Sequence, residues 1–310
     1  MELSEILRSR KRTENVGFVI PVLEEQVLKD AMSSRLKRRI DVFHPSDICN
    51  DEFCPREWLL YQEDPSLKKR KVSAQQQFIF DVGSEMHSYM QRKLGSARVL
   101  FGIWNCKKEC NGDSCVHIGF KPNSEVCTKA IWEYKEPTVF DEELNIYGNT
   151  DGIFLPKTLD KKYTFEFKTM NTDAFSTLAE PVKRDLEQSF WYLDILTRKG
   201  FKEWNTFVEL CSEEEQEQFK EERKIMELPY SGSVLVYMDK NDQRIREFFI
   251  PFPGEDKDLM ESMDGKKALI KEALIHKDKK TLPDKLYQCD SKTARRARRC
   301  SAKTLCFNKG

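Results

Sequence analysis

Apolar residues recur along the chain with two periods, one typical of helices and one typical of strands. Spacings of three and four residues predict helices over 22–40, 46–62, 74–94, 174–199 and 255–277. Period-two runs rich in Ile, Phe, Val and Tyr predict strands over 145–155, 162–169, 232–239 and 244–250. Because helices alternate with strand pairs, the pattern indicates an α/β fold.

One stretch, residues 98–135, follows neither period and is rich in cysteine. It predicts an irregular insertion that a bound metal holds together. A loop of this length with few core residues would otherwise have little to keep it ordered. We therefore divide the chain into an N-terminal helical segment, 1–43, and a main domain, 44–310. The main domain includes this insertion and a cysteine-bearing tail, 285–310.

The composition excludes several classes of protein. The 310 residues are 39% hydrophobic, enough for a core, and no window approaches about 18 consecutive apolar residues, so we expect no membrane span. The first twenty residues lack the apolar run of a secretory signal, and ten cysteines then favour metal sites over disulfides in a cytoplasmic, intracellular protein. The 52 basic and 52 acidic residues cancel, so any nucleic-acid surface must be local.

Two acids and a lysine on a predicted strand pair are the catalytic candidates. Asp151 lies on the first strand, and Glu166 and Lys168 alternate with phenylalanines on the second, so both point to one face. Two adjacent carboxylates repel unless a cation lies between them, and oxygen ligands suit Mg²⁺ or Mn²⁺. Such a metal activates water and stabilises charge on a phosphoryl group, with Lys168 orienting the water or neutralising the phosphate.

Two further motifs accompany this strand pair. His87, on the preceding predicted helix, offers a neutral imidazole that could complete the metal shell. Gln188 and Tyr192 are four residues apart on the helix that follows, so they share one face and could grip a phosphate or a base. The aromatic run 190–192 either stacks bases at the rim of a narrow site or belongs to the core.

In their order along the chain, these motifs resemble the PD-(D/E)XK nucleases of the RecB type. The resemblance covers about residues 44–310 and implies a restriction-endonuclease-like mixed sheet flanked by helices. It implies that the divalent metal is bound by His87, Asp151 and Glu166. It also implies that Lys168 is catalytic and that Gln188 and Tyr192 position DNA.

One early and three late cysteines resemble the iron–sulfur branch of this family, which includes the CRISPR-associated exonucleases and AddB. The resemblance implies that a 4Fe–4S cluster joins the C-terminus to the first helix of the domain, with four thiolate ligands, Cys54, Cys289, Cys300 and Cys306. The gap between Cys289 and Cys300 is wider than in the family, so Cys49 is an alternative ligand to Cys289.

A basic run lies between two of the proposed cluster ligands and has no acidic residue in it. Its arginines, Arg295, Arg296, Arg298 and Arg299, would then lie beside the DNA path. Near a cysteine cluster we expect these side chains to contact phosphates.

A second cysteine set lies inside the insertion 98–135. Four thiols fall within 22 residues, at Cys106, Cys110, Cys115 and Cys127, with Gly112 at a bend. That density suits one tetrahedral Zn²⁺, and His117 is an alternative fourth ligand.

Together these features predict a metal-dependent DNA nuclease that hydrolyses phosphodiester bonds. We expect an exonuclease acting on single-stranded DNA or free ends, in recombination, repair, viral or CRISPR-related DNA processing, where protein partners in a DNA-processing complex would also occur. The alternative is a non-catalytic DNA-binding or scaffold subunit that keeps the fold. The presence of Asp151, Glu166 and Lys168 together favours the enzyme.

Overall fold

The computed structural model describes residues 19–36, 38–68, 73–108, 115–123, 131–157, 160–212, 216–217, 219–251 and 256–309. The chain divides into two units, Met1–Arg39 with Arg70–Val82, and Ile40–Lys69 with Gly83–Gly310. The first unit contains helix α1, Val19–Leu36. The proposed nuclease residues all belong to the second unit, which is described in the rest of this subsection.

The helices of the second unit cover most of the predicted helical segments. They are α2 (Pro45–Ile48), α3 (Pro55–Glu63), α4 (Ala74–Ser96, which begins in the first unit), α5 (Thr172–Ser176), α6 (Lys183–Lys199), α7 (Lys202–Leu210), α8 (Lys220–Glu227), α9 (Lys257–Lys279), α10 (Arg295–Arg299) and α11 (Lys303–Asn308). Short 3₁₀ turns lie at Pro65–Lys68 and Tyr287–Cys289.

The strands of the second unit form two sheets. They are β1 (Leu100–Cys106), β2 (Val116–Phe120), β3 (Trp132–Lys135), β4 (Thr138–Asp141), β5 (Ile146–Asn149), β6 (Gly152–Phe154), β7 (Lys162–Met170), β8 (Tyr230–Asp239) and β9 (Ile245–Pro251). Within the described residues, seven strands make one sheet in the order β2-β1-β6-β7-β8-β9, with β3 also paired to β1, and β4 pairs with β5 separately.

The large sheet is mixed but mostly antiparallel. Only β7 and β8 run parallel among its described strand pairs. Helices cover it, with Met86, Met90 and Leu94 of α4 on the cluster of Phe165 and Phe167, and α6 and α9 in the cluster that contains β1 and β6. The prediction of an α/β fold with a mixed sheet flanked by helices is confirmed.

Two predicted helices are each broken into two. The segment 46–62 forms α2 and α3 because Pro55 is the first residue of a new helix. At that position the backbone N–H that proline lacks would make no hydrogen bond within the helix. The Sγ of Cys54 caps α3 by accepting a hydrogen bond from the Glu57 amide at 3.4 Å. The segment 174–199 likewise splits into α5 and α6 around Pro181.

The segment 98–135 was predicted to be irregular, but part of it belongs to the large sheet. Strand β1 pairs with β6 through Leu100 and Phe101, with β3 through Ile103–Cys106, and with β2 along its other edge. It is buried at nearly every position, so both faces are apolar and no alternation betrays a strand. Among the described residues, no helix has the length and apolar content needed to cross a bilayer.

Candidate functional site

The β6–β7 pair brings the two predicted carboxylates together. Gly152 of β6 lies opposite Phe165 of β7, so Asp151 and Glu166 are the next residues to face each other across the pair. A Cβ on Gly152 would lie 2.3 Å from Leu100 Cδ1, so only glycine fits directly after Asp151. The backbone amide of Phe167 donates a 2.7 Å hydrogen bond to Asp151 Oδ2, which fixes that carboxylate against β7.

The alternation along β7 separates an apolar face from a polar one. Phe165 and Phe167 pack in the cluster under α4, whereas Glu166 and Lys168 face α6. Lys168 Nζ donates to Glu166 Oε1 and lies 3.3 Å from Gln188 Oε1. The predicted acid–lysine pair therefore shares one buried site with Gln188.

His87 reaches the same site from α4. A Cβ on Gly83, one turn earlier, would come within 3.2 Å of Thr169 Oγ1, so the missing side chain lets α4 approach β7 closely. His87 Nε2 lies 2.8 Å from Asp151 Oδ2, and its ring packs against that of Phe167 at 5.5 Å between centroids. The spacing of Gly83 and His87 thus places an imidazole beside the carboxylates.

Two residues of this site were not predicted from the sequence. Glu136 lies between β3 and β4. One of its carboxylate oxygens, one nitrogen of His87 and one carboxylate oxygen of Asp151 all lie within 4.8 Å of one another. Gln91, one turn after His87 on α4, donates to Glu136 Oε1 at 3.0 Å and to the Asp151 carbonyl at 3.2 Å. The spacing of His87 and Gln91 could have revealed Gln91, but no pattern marks Glu136.

Two buried polar atoms in the site lack a hydrogen-bond partner among the described residues. They are Glu166 Oε2 and His87 Nε2. The 2.8 Å contact between His87 Nε2 and Asp151 Oδ2 is an ion pair whose angles do not fit a hydrogen bond. Buried polar atoms without partners are rare because each is costly, so such a pair suggests a missing ligand. With Asp151 and Glu136 beside them, these atoms supply the oxygen and nitrogen donors that a divalent cation binds.

The pKa shifts indicate that the site lacks positive charge. Burial, followed by the charge of Asp151, raises the pKa of Glu166 to about 8, although Lys168 opposes the shift. Burial alone would lower the pKa of His87, but Asp151 and other carboxylates raise it to about 9. Burial and Asp151 also raise the pKa of Glu136. Protons thus partly neutralise the site where a bound cation would do so.

The polar pair on α6 lies inside the protein. Gln188 Nε2 donates to Glu166 Oε1 at 3.1 Å and to the Tyr192 hydroxyl at 3.3 Å, and both side chains are buried. Phe190 and Trp191 are buried in the main core, so of the two interpretations of this aromatic run the core is the one found. Gln188 is therefore placed to hold Glu166 and Lys168 in position.

The early and late cysteines meet in one cavity. Its lining includes four thiols, those of Cys54, Cys289, Cys300 and Cys306. No three of these four sulfurs lie within 4.8 Å of one another. Four ligands that each lie about 2.3 Å from one Zn²⁺ would be about 3.8 Å apart, so the sulfurs are spaced more widely than in a zinc site. Cys49 is buried elsewhere and does not line this cavity, so the alternative to Cys289 is not supported by position.

The basic run forms the short helix α10 between two of these cysteines. Arg295, Arg298 and Arg299 are exposed. Arg296 is instead buried, and its guanidinium pairs with Glu57 Oε2 at 2.6 Å and donates to the Glu52 carbonyl at 2.9 Å. Three arginines of α10 are therefore exposed and available for phosphate contact, whereas Arg296 is buried and binds Glu52 and Glu57.

Half of the proposed zinc set can be placed. Cys106 and Cys115 adjoin at the end of the β1–β2 pair, where the Cys106 amide donates to the Cys115 carbonyl at 2.9 Å. His117 lies two residues further along β2, on the same face as Cys115. Cys110 and Cys127 lie outside the described residues.

Comparisons with known proteins add the following. No protein-family model matches the chain, and no curated protein matches it. A solved structure described as the crystal structure of SSO0001 is similar over 95% of this chain and 98% of that one, with 14% identity and a TM-score of 0.41. That similarity spans nearly the whole length of both chains at low identity.

Proposed function

We propose that the protein is a divalent-metal-dependent DNA nuclease of the PD-(D/E)XK type that hydrolyses phosphodiester bonds, most readily at single-stranded or free DNA ends. The observation that supports this most is the convergence of ligand atoms of His87, Asp151 and Glu136 within 4.8 Å of one another, beside the buried Glu166 Oε2, which has no hydrogen-bond partner among the described residues. The fold agrees, because an antiparallel strand pair presents both carboxylates and the lysine from one sheet.

The residues of the site would divide the chemistry between them. His87, Asp151 and Glu136, whose ligand atoms lie within 4.8 Å of one another, would hold Mg²⁺ or Mn²⁺ with Glu166 beside them, and the metal when bound would supply the Lewis acid that lowers the pKa of water and stabilises charge on phosphorus. Lys168 keeps its proton, because Glu166 and Asp151 hold its pKa above the usual range even though burial alone would lower it. Its ammonium can therefore orient the attacking water or donate to a phosphoryl oxygen.

Two structural metal groups belong to the same proposal. A 4Fe–4S cluster held by the four cavity cysteines would join α3 to the tail, and the cavity that these cysteines share supports it. One Zn²⁺ would hold the insertion through Cys106 and Cys115 together with Cys110 and Cys127, with His117 as the alternative ligand. The exposed arginines of α10 would contact the phosphates of the DNA.

The direct test is degradation of end-labelled single-stranded DNA with Mn²⁺, Mg²⁺ or EDTA. Wild-type protein should degrade the DNA only with metal, and Lys168→Ala should lower the rate by about 10²–10³-fold, as for loss of one stabilising donor. Lys199→Ala is the matched control, because this exposed lysine forms a surface ion pair with Glu143 away from the site.

The opposite outcome would favour the non-catalytic alternative. If the wild-type protein binds single-stranded DNA but leaves it intact with either metal, the chain is a DNA-binding subunit rather than a nuclease. If Lys168→Ala and wild type cleave equally, the activity belongs to another site or to a contaminant.

A further inference from the structure

The four-cysteine cavity contains two buried arginines that the nuclease chemistry does not use. Arg56 of α3 and Arg296 of α10 both line it, and their exposed fractions are 4% and 8%. Buried arginines are rare unless they are paired, because removing the charge from water is costly. The partners of the two guanidinium groups therefore show what each side chain does in this cavity.

Arg56 already donates to one of the cysteines. Its Nε lies 3.2 Å from Cys306 Sγ, while its terminal nitrogens bind the carbonyls of Pro283 at 2.7 Å and Cys306 at 3.1 Å. The two carbonyl contacts fix the plane of the guanidinium, so Nε is aimed at the sulfur. The arrangement is a charged N–H donor directed at a metal-ligand atom.

Arg296 also lines the cavity, and one of its N–H donors makes no hydrogen bond among the described residues. Its terminal nitrogen is engaged by Glu57 Oε2, but its Nε is buried and has no hydrogen-bond partner among the described residues. Nε forms an ion pair with Glu52 Oε2 at 3.7 Å, a separation beyond hydrogen-bond distance. This unpartnered charged donor in a cavity of sulfurs points to a ligand that is not part of the chain.

We propose that Arg56 and Arg296 donate hydrogen bonds to the sulfurs of the metallocluster and supply its counter-charge, so that they set how firmly it is held and how easily it is reduced. The inference rests on the proposed 4Fe–4S cluster but not on nuclease activity. Four thiolates with such a core carry net negative charge, and reduction adds one more. Nearby positive charge and hydrogen bonds to sulfur therefore favour the reduced form.

The charge of the surroundings agrees with this role. Lys285 and Lys303 also line the cavity, and Glu57 is its one carboxylate among the described residues. The cavity thus presents more positive than negative side chains to an anionic group.

The test compares iron content and reduction potential of anaerobically purified full-length variants. Arg296→Gln should move the midpoint potential to more negative values and release iron faster in air. Lys292→Gln, in the same tail but exposed and outside the cavity lining, is the matched control and should keep the wild-type potential and iron retention. Because Arg296→Gln also breaks the pair with Glu57, Arg56→Lys and Arg296→Lys keep the charge and should give smaller shifts in the same direction.

Each outcome decides between the two levels of the proposal. Wild-type protein without iron overturns the cluster and this inference together, whether or not the protein cleaves DNA. Iron-loaded wild type with variants of unchanged potential and iron retention overturns the arginine role alone. A negative shift confined to the variants of Arg56 and Arg296 supports it, because a merely structural arginine would alter stability without moving the potential.

Discussion

At the scale of single residues, the candidate metal centre holds more negative charge than its own cations neutralise. Asp151, Glu166 and Glu136 converge on it, against Lys168 and the imidazole of His87. Lys168 and Gln188 donate to Glu166 Oε1, but Glu166 Oε2 is buried and has no hydrogen-bond partner among the described residues. A divalent cation would resolve this imbalance, and its binding must compete with protons.

The competition predicts a pH dependence. The folded pKa values of Glu166, about 8 against 4.5, and of His87, about 9 against 6.5, are both raised, so the metal-free fold takes up protons. Its stability from these groups is fully present below the unfolded values and is lost as pH rises through the folded ones. Mn²⁺ should therefore raise the melting temperature more at pH 8.5 than at pH 6, measured by differential scanning fluorimetry.

The same experiment has an internal control. Glu166→Gln removes the main carboxylate, so its Mn²⁺-induced shift should be small at every pH. A wild-type shift that is larger at pH 6 than at pH 8.5 would contradict the proposed competition between metal and protons.

Gln91 provides a second residue-scale prediction. Replacing it with leucine deletes the hydrogen bonds that hold Glu136 and the Asp151 carbonyl, so metal affinity or activity should fall about 10–100-fold, as for other outer contacts of metal sites. Gln77→Leu, near the N-terminal end of the same helix and bonded to Asp81, should leave both unchanged. Isothermal titration with Mn²⁺ measures the effect, and equal affinities in the two variants would remove Gln91 from the site.

At the scale of elements, the sequence predicted those parts of the site whose residues have a period. The alternation of Phe165, Glu166, Phe167 and Lys168 foretold which side chains share a face, and β7 has that arrangement. Strand β1 was missed because burial on both faces erases the alternation. Glu136 was missed for a related reason, since it follows an edge strand and only the fold brings it near His87.

The tail is the element that most depends on a bound group. Its helices α10 and α11 have 5 and 6 residues and are too short to be stable alone. Cys300→Ser should therefore yield a colourless protein with a lower melting temperature. Cys211→Ser, whose sulfur lies outside the cavity, should keep the colour and the iron. Iron analysis and the visible spectrum after anaerobic purification provide the measurement, and a brown Cys300→Ser protein would contradict the proposed ligand set.

At the scale of the whole molecule, the balanced charge leaves DNA binding to local surfaces. The 52 basic and 52 acidic residues cancel, so long-range attraction by net charge is absent. The exposed arginines of α10, Arg295, Arg298 and Arg299, form one local concentration of positive charge near the cysteine cavity. Affinity for DNA should depend on these side chains more than on basic residues elsewhere.

This expectation is open to a salt titration. Changing Arg295, Arg298 and Arg299 to glutamine should weaken binding to single-stranded DNA and lower the slope of log K against log salt by about 0.7 for each lost phosphate contact. The matched control changes Lys220, Arg223 and Lys224 of α8, which lie in surface ion pairs. Fluorescence anisotropy from low to high salt measures both slopes, and equal slopes in the two triple variants would exclude α10 from the DNA surface.

The central claim is that the carboxylate–histidine site beside Lys168 is the metal centre of the protein, and anomalous diffraction from crystals soaked in Mn²⁺ tests it most directly. The account predicts an anomalous peak in contact with Asp151 and Glu166 and within ligand distance of His87, which disappears in crystals of Glu166→Gln. Well-ordered wild-type crystals with Mn²⁺ bound only elsewhere, or with this site empty at saturating metal, would contradict it.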